Sequence, residues 1–176
     1  MEETVSDRPG PRGPKEVWGI KRSARFGAAV AAALVVATLG AMPALAQDQK
    51  PWSAAFAGSA AFTSPTTAVY QGSGDVKHLG GSTVAGTVTA VGPAPCDGFA
   101  AQHTVTITAS SGDQLFISVT ATACTEGTNQ YHGFGSYTIT GGTGRFAGAT
   151  GNGAMDGHCD FNAGTFTLTF NGTISY

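Results

Sequence analysis

The sequence predicts an all-β protein, an eight-stranded antiparallel up-and-down barrel, with a two-sheet sandwich as the competing arrangement. Three observations lead there. From Gln47 onward glycine and threonine are frequent, and helix-favouring runs of Glu, Lys, Leu and Gln are absent. Apolar residues alternate with threonine in one segment after another, the two-residue period of a half-buried strand. Short turns join most of the segments, which implies sequential antiparallel pairing. A twisted sheet of that size closes or splits, and closure removes the edges that invite aggregation.

Ahead of the strands, residues 1–46 read as a lead and signal peptide. Lys21, Arg22 and Arg25 make a basic region, Gly27 to Leu39 an apolar run, and Ala44-Leu45-Ala46 a small-x-small cleavage site. Residues 47–176 then form one domain, large enough for a single core. The apolar run is short for a membrane span, and no second long one follows, so no membrane association is expected after cleavage. Lys50, Lys77 and Arg145 are the only cations after Ala46, against seven acidic residues, a net charge of −4. Three scattered cations make no footprint for nucleic acid.

Trp52 to Thr63 is the first strand and Ala68 to Gln71 a shorter one that runs on toward His78. Ser82 to Val91 follows, then a Pro/Gly loop to Gln102 that holds Pro93, Pro95 and Cys96. His103 to Ala109 and Leu115 to Ala123 form a hairpin around Ser111-Gly112-Asp113, with Val105, Ile107, Leu115, Ile117 and Val119 inward. Tyr131 to Thr140 places Tyr137 and Ile139 inward. The run Gly141-Gly142-Thr143-Gly144-Arg145-Phe146-Ala147-Gly148 is a turn, and its loose G-x-G-x-x-A match lacks the helix a dinucleotide site needs. Arg145 is read there as structural. Thr150 to Phe161 leads through Asn162-Ala163-Gly164 into the last strand, where Phe166, Leu168, Phe170, Ile174 and Tyr176 share a face. Gly172 interrupts that face as a bulge or a close packing point.

Strand alternation puts Cys96, Cys124 and Cys159 toward one end of the barrel and the Gly141–Gly148 turn toward the other. In an exported chain, one disulfide and one leftover thiol are expected. Cys96–Cys124 is the favoured pair, with Cys124–Cys159 and Cys96–Cys159 as the alternatives. His103, His132 and His158 fall at the same end, and His78 at the opposite one. Cys124, His132 and His158 share outward registers of neighbouring strands, so they are metal-ligand candidates, weakened by the absence of tight ligand spacing. A disulfide beside ordinary surface histidines competes with that reading, and no cofactor is expected.

The segment Tyr137 to Gly151 resembles the signature turn of the allene oxide cyclase/dirigent barrel superfamily. Gly72 to Gly80 and Ser111 to Phe116 resemble pieces of its secreted bacterial members. The similarity covers about residues 54–176. It implies an eight-stranded, calycin-like barrel with a central cavity. The superfamily's catalytic members use cavity carboxylates, and no Asp or Glu here falls on an inward register. Asp75, Asp97, Asp113 and Glu126 read as turn or loop residues and Asp156 as outward, so no catalytic residue carries over.

Three functions follow. The first is an exported barrel, secreted or in the cell envelope, that binds an apolar or aromatic small molecule inside. The second, by analogy of fold, is an isomerase or cyclase acting on a lipid-like substrate, for which inward His103 and Tyr137 are the catalytic candidates. The third is a structural or interaction protein of the envelope, with homo-oligomers an option. Neither a Gly-x-Ser-x-Gly elbow nor a Cys/His/Asn set is present.

Overall fold

The computed structural model describes residues 48–176, and the expected leader lies outside the described residues. Eight strands run in chain order: β1 (Lys50–Ser64), β2 (Thr67–Val76), β3 (Gly80–Ala94), β4 (Gly98–Ala109), β5 (Gln114–Gly127), β6 (Gln130–Gly142), β7 (Thr150–Asp160) and β8 (Thr165–Ser175). Each pairs antiparallel with the next, and β8 pairs with β1, so the sheet is a closed up-and-down barrel. The sandwich is excluded. The only helical piece among the described residues is a 3₁₀ turn, Gly144–Phe146.

The strands are longer than alternation alone suggests. β3 and β4 continue through most of the expected Pro/Gly loop, leaving only Pro95-Cys96-Asp97 as the turn. A register shift between Ala90 and Gly92 lets Pro93 pair opposite Phe99 at the very end of the ladder. There its missing N–H costs little. Asp75 and Glu126, expected in loops, are the last outward residues of β2 and β5.

Inward residues fill the interior unevenly. One layer reads Tyr137, Gly153, Gly172, Trp52 across four neighbouring strands. A Cβ on Gly172 would collide with Asn152 O, Tyr137 Oη and the Gly153 Cα. The two glycines thus make room for the two large rings, which meet edge-on at 5.5 Å. Gly172 is a close packing point, since neither of its ladders shifts register there. Phe170, Ile107, Leu115 and Ile174 complete this half and are fully buried. Each such side chain contributes about 1.5–3 kcal/mol.

The same half is closed at its end by the glycine turn. Gly144 (φ 55°) and Gly148 (φ 77°) take left-handed backbone that a side chain would strain, and between them Phe146 turns inward with no exposed surface. Its ring meets that of Tyr176 at 5.1 Å. Thr143 ties the turn to the β4–β5 hairpin: its N–H donates to Gln114 O (2.8 Å), and its Oγ1 accepts from Gln114 N–H (2.9 Å). Arg145 lies 3.7 Å from Asp113, a half-exposed ion pair that links the two turns.

Candidate functional site

The opposite half is lined by smaller residues. Ala60, Ala68, Ala121, Ala123, Gly133 and Gly157 leave an apolar cavity of about 90 Å³. It holds one ring-sized group, well below the roughly 300–1,000 Å³ of drug-sized sites. Inward-register aromatic residues on the last rungs form the rim. Phe62 and Phe161 stack at 3.9 Å, and Tyr131 meets Phe161 at 6.0 Å and Phe99 at 5.3 Å, both edge-on. Phe62 is 46% exposed, so apolar surface faces solvent at the entrance. A larger depression of about 750 Å³ lies on the outer wall, lined by Thr87, Thr104, Thr106 and Ser118 among others. Threonine and serine hydroxyls make up much of its rim, and it lacks the stacked aromatic border of the smaller cavity.

Turn chemistry holds the rim in place. Asn129 takes a left-handed conformation (φ 58°) in the β5–β6 turn, and its carbonyl accepts from Phe161 N–H at 3.0 Å. Asn162 Nδ2 donates to Thr128 O at 2.6 Å. The disulfide joins Cys96, in the β3–β4 turn, to Cys124 near the end of β5. Of the three cysteines it leaves Cys159 as the free thiol, half-buried and lining the cavity. Burial, reinforced by neighbouring Asp160, pushes that thiol up to about 11, so it stays protonated and unreactive.

Two polar side chains face the cavity at its floor. Tyr70 Oη lies 3.5 Å from His103 Nδ1, a long contact in which the phenol can donate to a neutral ring. Burial raises the Tyr70 hydroxyl well above its ordinary value and holds His103 down to about 4. Both are therefore neutral near pH 7. Tyr137, the other catalytic candidate, is not in the cavity. It lies in the Trp52 layer with its hydroxyl buried and pushed up to about 12. Tyr70 takes its place beside His103. Its inward parity with Ala68 was readable, but the Gly- and Ser-rich β2 gives only a faint pattern.

His103 makes stability depend on pH. Its folded pKa of about 4 lies below the ordinary 6.5, so the unfolded chain takes up the proton first as pH falls. Stability is expected to fall from pH 6.5 and level off near pH 4, a loss of up to about 3 kcal/mol. Urea melts of His103→Gln should lack that slope. Identical pH profiles for variant and parent would show that the ring does not carry it.

The metal candidates are rearranged. Cys124 commits its sulfur to the disulfide, whereas His132 and His158 sit directly opposite each other on β6 and β7, facing outward. Asp156 joins them. The candidates thus fall in different places: His103 at the cavity floor, Tyr137 in the packed core, and His132 and His158 on the outer wall, with His158 also bordering the cavity. No family model, curated protein or solved structure matches this chain.

Proposed function

We infer that this protein is an exported barrel that binds a small apolar or aromatic molecule carrying one hydroxyl or carbonyl group. The observation that carries the reading is the aromatic-rimmed cavity with a neutral Tyr70–His103 pair at its floor. Apolar walls supply burial, and the phenol and the imidazole offer one donor and one acceptor to fix orientation. No carboxylate lines the cavity among the described residues, so the site favours binding over the carboxylate chemistry of a cyclase. The disulfide supports an oxidising destination, as does the reading of residues 1–46 as a leader. Resemblance to the allene oxide cyclase/dirigent superfamily supports a barrel used as a container.

Gly133 provides the test. It lines the cavity, and a Cβ there would meet nothing nearer than Gly157 O at 3.9 Å. Gly133→Phe should therefore fill the space without breaking the wall. Ligand-observed NMR with phenol and p-cresol is expected to show saturation transfer from the parent and none from Gly133→Phe, with thermal melts confirming that both fold. Silence from the parent with both probes, or equal transfer from the variant, refutes the reading.

A further inference from the structure

We propose that His132, His158 and Asp156 form a surface site for a divalent transition-metal ion, zinc or copper, on the outer wall of β6 and β7. The sequence supplies the residue types, and the register brings them together. His132 and His158 are a directly opposed cross-strand pair, and Asp156 lies two residues before His158, hence on the same face. Opposed positions hold their Cβ atoms about 4.5–5.5 Å apart, a span two imidazoles can bridge with one ion. The rings stack face to face at 4.5 Å and 8°. One ligand atom from each of the three residues falls within 4.8 Å of the others. Rotation of the two rings out of their stack, about side chains that reach solvent, would bring those atoms to the bonds of about 2.0–2.2 Å of a tetrahedral ion.

Two further features distinguish this cluster from a chance gathering of polar groups. The His158 Nδ1–H donates to Glu126 Oε2 at 3.0 Å, which leaves Nε2 bare for a metal. A carboxylate behind a ligating histidine is the usual device for fixing the ring's tautomer and raising its basicity. His132 Nε2 lies 2.8 Å from Asp156 Oδ2, so an ion can replace the hydrogen those two atoms share. The cations after residue 47, Lys50, Lys77 and Arg145, are used elsewhere or lie on other strands and turns. Lys50 sits over the Tyr176 ring and Arg145 pairs with Asp113. Two carboxylates and two imidazoles thus share a patch with no lysine or arginine ion-paired to them among the described residues. Two nitrogens and one carboxylate oxygen suit copper and zinc, and give calcium or magnesium too few oxygens. Three protein ligands leave one position open to water or to a partner's donor.

The test is calorimetric titration of the untagged full chain with zinc chloride, and separately with copper sulfate. One ion per chain is expected, along with a rise in melting temperature as zinc is added. His132→Ala and His158→Ala should each abolish the heat, and Glu126→Gln should weaken binding about tenfold through the ring it orients. His103→Gln and Cys159→Ser should bind as the parent does, which separates this site from the cavity and its thiol. Magnesium should give no heat. Absence of zinc and copper binding, or binding that survives loss of either wall histidine in a folded variant, overturns the proposal.

Discussion

Phe146→Ala is expected to lower the unfolding free energy by about 3–5 kcal/mol, the cost of deleting a fully buried aromatic ring. This is unusual for a residue in a surface turn. Phe146 has no exposed surface and closes one end of the barrel against Tyr176, while the chain on either side is held by left-handed glycines. The turn is pinned at Gln114 and has little freedom to collapse into the space left behind. Arg145→Ala, one residue away, is expected to cost less than about 1 kcal/mol, because its pairing with Asp113 is long and half-exposed. Urea denaturation of the two variants separates ring from charge. A Phe146→Ala midpoint close to the parent's would show that the turn merely caps the barrel and does not hold it.

The second large effect belongs to the other end. Replacing Cys96 and Cys124 together by alanine should cost about 3–4 kcal/mol on the chain-entropy account for a loop of this size. The two residues are 28 apart in sequence, and the bridge spans the β3–β4 turn and β5. The double replacement matters, since a single one would leave a thiol free beside Cys159 in the same half of the barrel. Hydrogen exchange should quicken first at Phe99 and Thr125, beside the bridge. If the doubly substituted chain unfolds at the parent's urea concentration, the bridge decorates an already rigid mouth.

Much of the barrel was legible because its strands carry large apolar residues in strict alternation. In β5, Leu115, Ile117 and Val119 face in while Phe116, Ser118 and Thr120 face out. β2 was only partly legible, since Gly72, Ser73 and Gly74 give little contrast between faces. The ends of β3 and β4 were hidden because Pro93 and Gly92 signal loops by composition, while a bulge and a terminal ladder position accommodate both. The site was less legible still. Small residues such as Ala121 and Gly133 are equally consistent with a narrow barrel and a hollow one, and only packing decides. Asp156 was read as outward, but its company with His132 depends on the β6–β7 register, which no local pattern reveals.

The barrel's polarity also fixes where a tether can go. β1 enters at Lys50 and β8 leaves after Ser175 beside each other, at the pole that Phe146 stoppers. Anything fastened ahead of Lys50 or behind Tyr176 therefore departs from the blind pole. A surface-bound or fused copy would hang like a cup by its base, its aromatic lip turned outward to whatever drifts past.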